Sequence, residues 1–398
     1  MTLKLYYDDS YITSFDAIVT DVKIEDKYTV IELDKTAFFP LGGGQLPDTG
    51  SIADAHICDV KEIEGRIFHY TKDKFNCSCG DTVRCVIDWD IRFARMQAHS
   101  GEHIVSGLAK RLYDADNVGF HMDEFNVMTV DFNKQLSADE ISVIEIKANE
   151  CIWKNVNIKT QFFDISDCKS VDYRSKLEFE SDVRLVEIAG YDVCACCAPH
   201  VKRTGEIGLV KILSCISHRG GVRLTVICGN AAYADYVMKH NATIKISTSL
   251  CAKHNETDEA VIRLIENNKA LEHKLNSSKK KYLRIIADNI SQSDVIIRFF
   301  DELVIDDLRE ISNFCKDKCE HLALLLSGDD ESGYAYCIYS AVLDLCRFVK
   351  SFNSALNGSG GGRGELVQGK VKCKKDEIIS FMNSMRVDDY ENEKKKES

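Results

Sequence analysis

The chain has 398 residues, of which 44% are hydrophobic and 29% charged, and a formal net charge of −12. That length suits two or three domains of about 150 residues each, and the balance is that of a globular protein rather than a disordered one. No apolar run approaches the roughly 18 residues of a membrane span, and MTLKLYYDDSY turns acidic before a signal-peptide core could form, so the expectation is a cytoplasmic protein with no membrane partner.

Residues 1 to about 90 alternate short β-type runs (Tyr28 to Leu33, Ile57 to Ile63, Thr82 to Ile87) with turn residues, and predict a small β-barrel-like module. Within it, FFPLGGGQLPDTG places three glycines at 42 to 44, where a backbone without Cβ atoms can approach a ligand. Gln45 beside them offers a donor and an acceptor, and Thr36 presents a hydroxyl from the preceding strand. A plain hairpin turn is the competing reading.

From Asp90 the pattern becomes helical through QAHSGEHIVSGLA, and the four-residue spacing stacks His99 and His103 on one face. A strand over Val127 to Phe132 follows, and Ser137 with Glu140 forms a capping box that opens the next helix. Strands at Ile158 to Phe163 and Val183 to Ile188 lead to CACCAPHV, and Gly208 to Leu213 with Arg223 to Cys228 read as a closing pair. Helices interleaved with antiparallel strands define an α+β class.

Seventeen cysteines without a secretory signal indicate a reducing compartment, in which most thiols are small buried hydrophobes. The cluster Cys194, Cys196 and Cys197 stands apart. Cys196 with His200 supplies a Cys-x-x-x-His pair to match His99 and His103, a nitrogen and sulfur donor set of the kind zinc prefers. Cys194 or Cys197 could replace Cys196 as the sulfur ligand.

About 255 to 289 forms one charged helix, with Val261, Leu264, Leu271, Leu275, Tyr282 and Ile285 on a heptad seam broken by Asn268 and Ser278. Lys279, Lys280, Lys281 and Arg284 on this helix, and the surroundings of Arg363, are the local basic patches that a net-acidic chain needs in order to hold a polyanion. From 293 to about 385 strand and helix signals alternate as an α/β domain: strand from Asp294, helix from Asp306, strands from His321 and Tyr334, helix from Val342. GSGGGRGELVQG then reads as a glycine-rich loop whose amides, with Arg363, suit phosphate.

HSGEH also matches the H-x-x-E-H pattern of inverted zinc peptidases, with Glu102 as general base and Glu178 or Glu180 as third ligand. That reading leaves CACCAPH without a role. A zinc deaminase would use Cys194 and Cys197 but lacks its His-x-Glu partner.

Taken in order, FFPLGGGQLPDTG, HSGEH, the Cys-x-x-x-His of CCAPHV and GSGGGRGELVQG resemble the alanyl-tRNA editing proteins of the AlaX family in their long form, over essentially the whole chain. That family is similar to the editing and C-terminal parts of alanyl-tRNA synthetase. The resemblance implies a trans-editing hydrolase that deacylates tRNA(Ala) mischarged with serine, or with glycine, at the terminal adenosine. It implies zinc held by His99, His103, Cys196 and His200, and an amino-acid pocket lined by Thr36 and Gln45, with Thr36 reading the seryl hydroxyl. It implies a barrel module at 1–90, a zinc-binding editing domain at 91–250, a linker helix at 251–290, a DHHA1-like tRNA-binding domain at 291–388 and a charged tail at 389–398. Gly360, Gly361, Gly362 and Arg363, with Lys279, Lys280 and Lys281, would contact the tRNA body, and the linker helix or the C-terminal domain offers a homodimer contact. The chain departs from the family after the cysteine, where Cys197, Ala198 and Pro199 replace the usual Gly-Gly-Thr. A peptidase and a non-catalytic tRNA-binding protein with structural zinc are the alternatives.

Overall fold

The computed structural model describes residues 1–164, 171–175 and 182–386. Its architecture is mixed α+β, in two compact units, Met1–Ile246 and Ser247–Ser398. Among the described residues no helix is long and apolar enough to cross a membrane.

The first unit begins with six strands hydrogen-bonded in a closed ring: Ser14–Glu25, Tyr28–Leu33, Arg66–Thr71, Ala55–Ile63, Gly50–Ile52 and Thr82–Ile87, the last pairing back to the first. Period-2 alternation sets the inside, as in Thr82–Ile87, where Val83, Cys85 and Ile87 are buried and the residues between them exposed. Register shifts at Val19/Asp21 and Ile57/Asp59 add the local twist that helps a small sheet curl.

Helix α1 (Trp89–Tyr113) follows directly and ends at Asp114 in the left-handed conformation, φ 53°. From Ala94 to Ala109 it is buried on every face. Two glycines permit this: a Cβ at Gly101 would stand 2.4 Å from Cys228 Sγ, and one at Gly107 would stand 2.4 Å from the Tyr191 carbonyl oxygen. Packed on it are α2 (Ala138–Lys154), opened by the Ser137/Glu140 capping box, and an antiparallel sheet ordered Val210–His218, Gly221–Cys228, Met128–Phe132, Asn117–Met122. A further three-stranded sheet, Ile158–Phe163, Val183–Ile188 and Asp192–Ala195, carries the chain to the cysteine cluster. Helix α3 (Gly229–Ser249) comes next; the sequence pattern did not predict it, because its apolar residues are not gathered on one face.

In the second unit, α4 (Thr257–Asp288) exposes Leu264, Leu271 and Leu275 and buries Leu283 and Ala287. The five-stranded sheet runs Ser293–Phe300, Cys319–Asp329, Gly333–Tyr339, Leu366–Val371, Gly358–Arg363, with only the first pair parallel. Helices α5 (Ile305–Phe314), α6 (Leu345–Ala355) and α7 (Lys375–Ser384) complete it.

The glycine-rich run differs from its sequence reading. Gly358–Arg363 is the edge strand of a hairpin, not a loop. Gly360 lies opposite Gly369, and a Cβ at either would stand 2.5 Å from the Tyr336 hydroxyl, so these glycines make room for a buried tyrosine. One of the three glycines expected to cradle phosphate therefore has a packing role.

Candidate metal centre

On α1 the four-residue spacing brings the His99 and His103 rings to 5.3 Å between centroids. His200, in the segment that follows Asp192–Ala195, places its ring 4.9 Å from that of His99 and 4.6 Å from that of His103. Cys196 Sγ lies 3.6 Å from His99 Nε2 and 3.4 Å from His200 Nε2, and one donor atom from each of the four residues falls within 4.8 Å of every other. A tetrahedral zinc with Zn–N near 2.0 Å and Zn–S near 2.3 Å separates its nitrogen and sulfur ligands by about 3.5 Å, the spacing found here.

Each imidazole turns its second nitrogen to a separate partner. His99 Nδ1 is 3.0 Å from Gln45 Oε1, His103 Nδ1 is 3.0 Å from Asp192 Oδ2, and His200 Nδ1 is 3.0 Å from Ser100 Oγ. With Nδ1 engaged, Nε2 is the free nitrogen of each ring, as required of rings held to face one ion. Arg174 clamps Asp192 through Nε at 2.6 Å and a terminal nitrogen at 2.7 Å.

Electrostatics favours the donor forms of Cys196 and His200, whereas at His103 burial is outweighed by Asp192 and Cys196, which hold the imidazole above its ordinary range. Burial raises the Cys196 thiol, but His99 and His200 beside it outweigh that and hold it well below its ordinary range, so the thiolate is favoured. Burial lowers His200 to about 3 and keeps it neutral. Burial also raises Asp192, yet Arg174 and His103 bring it below the usual carboxylate range.

The glycine loop forms one wall. Gly43 and Gly44, at φ +57° and +81°, are the centre of a two-residue turn closed by paired bonds between Gly42 and Gln45. A Cβ at Gly43 would lie 3.5 Å from Cys197 Sγ, and one at Gly44 would strike the Phe120 ring at 2.5 Å. The loop is tied to α1 by Arg92, fully buried, which donates to both oxygens of Asp48 and to the carbonyls of Ala37 and Ser10.

Gln45 is buried; its Oε1 faces His99, and its Nε2 has no hydrogen-bond partner among the described residues. Thr36 sits behind this surface, fully buried: its hydroxyl donates to His69 Nε2 at 2.9 Å and accepts from the Phe38 amide at 3.1 Å. The direction follows from His69, whose Nδ1 is 3.0 Å from the Ile31 carbonyl and must be its N–H. Thr36 and Gln45 are not among the residues that line the open cleft of about 1480 Å³ before the cluster; Gly43, Gly44, His99, His103 and Phe120 are.

Glu102 lines that cleft, but its Oε1 accepts from Ser106 Oγ and from Asn117 Nδ2 at 2.5 Å. Glu178 and Glu180 lie outside the described residues. Cys194 groups with His103 and Asp192, and Cys197 faces the glycine loop, which leaves Cys196 as the sulfur between the histidines. Lys279, Lys280 and Lys281 lie on α4, where Lys279 pairs with Asp307 at 2.7 Å, and Arg363 ends the glycine-rich edge strand. Asp192, Arg174 and Ser100 were not singled out from sequence, and no local motif marks them.

A family profile for the threonyl and alanyl tRNA synthetase second additional domain matches residues 183–224, the stretch that contains Cys196 and His200. The chain is 27% identical over 398 aligned positions to "Alanyl-tRNA editing protein AlaX-L" of Pyrococcus horikoshii, covering 95% of this chain and 97% of that protein. It is 26% identical to the alanine–tRNA ligase of Methanococcus maripaludis, covering 95% of this chain but only 43% of the ligase, so it spans less than half of that longer relative. Among solved structures, the C-Ala domain of Aquifex aeolicus alanyl-tRNA synthetase matches 24% of this chain and 91% of its own, at 19% identity and a TM-score of 0.20, a likeness too slight to carry an argument. The matched profile makes residues 183–224 similar to the second additional domain class of the threonyl and alanyl tRNA synthetases. Within that class, the resemblance to the alanyl-tRNA editing proteins of the AlaX family, long form, extends along nearly the whole chain.

Proposed function

We propose that this chain is a trans-editing deacylase that hydrolyses seryl-tRNA(Ala), or glycyl-tRNA(Ala), at a zinc-containing site. The observation that carries the reading is the convergence of three imidazoles and one thiol at zinc-ligand spacing, each ring braced through its other nitrogen. Similarity to an alanyl-tRNA editing protein over 97% of its length supports action on charged tRNA in trans.

His99, His103, Cys196 and His200 would hold the ion. When bound, zinc supplies positive charge that orients the ester and stabilises the negative charge that develops on its carbonyl oxygen. The remaining chemistry belongs to the chain. Fixing His99 with Oε1 turns the Gln45 amide so that its unpartnered N–H is the donor left for substrate. A seryl hydroxyl reaching Thr36 would donate to its second lone pair, since the threonine proton is committed to His69 and its first lone pair to the Phe38 amide. Alanine lacks that donor and so forgoes the additional hydrogen bond that a seryl ester would gain there. Pro199 supplies no amide to the ligand loop, so any donor to the carbonyl oxygen comes from elsewhere.

The domain bounds 1–90, 91–250, 251–290 and 291–388, contacts of Lys279 to Lys281 and Gly360 to Arg363 with tRNA, a homodimer and a cytoplasmic location belong to this same proposal. Release of serine from mischarged tRNA(Ala) tests it: a His99→Ala, His103→Ala double variant that still deacylates would sink the zinc site. Peptide cleavage lost in Glu102→Gln, without deacylation, would replace the reading with a peptidase. Affinity for tRNA without turnover would replace it with a binding protein.

A further inference from the structure

The cleft carries a second cluster that the metal centre does not use. On the three-stranded sheet Phe162 and Arg184 are direct cross-strand partners, and the Cys196 amide donates to the Arg184 carbonyl on the next strand over. Phe162, Arg184 and Cys196 all line the cleft. Across the face the order is therefore aromatic ring, guanidinium, proposed ligand.

Arg184 binds the row together. One of its terminal nitrogens donates to the carbonyls of Cys196 at 2.8 Å and Ala198 at 2.9 Å. Its guanidinium carbon lies 5.3 Å from the centre of the Tyr7 ring, which in turn packs edge-on against Phe162 at 5.3 Å and 80°. Phe162 itself remains 50% exposed. Phe162 is thus packed against Tyr7 and keeps half of its surface exposed at the cleft.

We propose that Phe162, backed by Tyr7 and Arg184, is a stacking shelf for the purine base of the terminal adenosine of the charged tRNA, an inference that rests on the deacylase reading. Two strand spacings of about 4.8 Å separate Cys196 from Phe162, roughly 10 Å in all. That is comparable to the span from a ribosyl ester carbonyl to the outer edge of the purine on the same nucleoside. Every base has a π-face, so stacking holds the nucleotide whatever amino acid it bears and leaves acyl discrimination to the pocket beside the metal centre. The shelf is a binding element, not a catalytic one. Because Arg184 also holds the carbonyls of Cys196 and Ala198, base and ester are registered to one rigid row.

The test uses the full chain with Phe162→Ala and Phe162→Trp. Stacking of this kind sets an expected rise in KM for seryl-tRNA(Ala) of about ten-fold in Phe162→Ala, with kcat changed less than about two-fold and KM recovered in Phe162→Trp. An unchanged KM, or a loss confined to kcat, overturns the shelf. A second arm needs no turnover: saturation-transfer NMR with millimolar adenosine monophosphate should reach the purine protons in the wild type and in Phe162→Trp and disappear in Phe162→Ala. No transfer in the wild type overturns the shelf whatever the deacylation result. Transfer with no hydrolysis of seryl-tRNA overturns the deacylase reading and leaves the shelf standing.

Discussion

His103 Nδ1 stands 3.0 Å from Asp192 Oδ2, and Arg174 grips the same carboxylate through two bonds of 2.6 and 2.7 Å. The imidazole is thereby fixed in one tautomer and aimed at Cys196. Asp192→Asn keeps the volume but weakens both contacts, and losses at such a partner typically lower metal affinity about 10- to 100-fold. Competition with a chromogenic zinc chelator measures this, and an affinity equal to wild type would show that the carboxylate has no influence on the ion.

Arg92 and Asp48 are both wholly buried and join α1 to the glycine loop. Arg92→Met leaves an uncompensated carboxylate, which costs about 3–5 kcal/mol. Urea unfolding should show that loss, and the Arg92→Met, Asp48→Leu double variant should recover a large part of it. A double variant no more stable than the single would mean that the charge itself is not the cause.

His69 titrates far from its ordinary range: burial lowers it from 6.5 to about 4. Between these values the unfolded chain binds a proton that the folded chain does not. Stability is therefore full above about pH 6.5 and falls on acidification, by on the order of 3 kcal/mol by pH 4. A His69→Gln variant should lose that part of the pH slope in unfolding free energy. A slope identical in the two proteins would contradict the shift.

Thr36→Val removes the proton donated to His69 and the acceptor used by Phe38. The expected result is a fall of about ten-fold in deacylation of seryl-tRNA(Ala), the worth of one hydrogen bond, with Thr36→Ser close to wild type. Equal losses in both variants would assign Thr36 to packing alone.

Glycines of the two glycine-rich runs should differ in tolerance. Gly44→Ala forces a methyl group into the Phe120 ring at φ +81° and should cost about 1–3 kcal/mol. Gly361→Ala meets no atom within 4 Å and should be neutral in thermal unfolding. Comparable melting temperatures for the two variants would count against the described turn at Gly43 and Gly44.

Much of the molecule could be read from local pattern. The strand Tyr28–Leu33, the capping box at Ser137 and the helical stacking of His99 on His103 follow from a β-type run bounded by turn residues, a Ser-x-x-Glu pair and a four-residue repeat, all of which act within a few positions of the chain. Where the pattern failed, packing had overruled it. Gly358–Arg363 reads as a loop because glycine disfavours strands, yet Tyr336 beneath it admits nothing larger at Gly360. In α3 no apolar stripe marks a helix.

By itself the sequence determined which donors exist, in what order, and that two of them share a helix face. What only the tertiary structure decided is how those donors are held. Gln45 meets His99 across 54 residues, Asp192 meets His103 across 89 and His200 meets Ser100 across 100. Such contacts leave no local signature, because they arise when a buried helix, a barrel loop and a separate sheet close on the same few ångströms of space. The same closure sets Cys196, the sulfur that the Cys-x-x-x-His spacing favours, between the histidines, and turns Cys194 toward Asp192 and Cys197 toward the glycine loop.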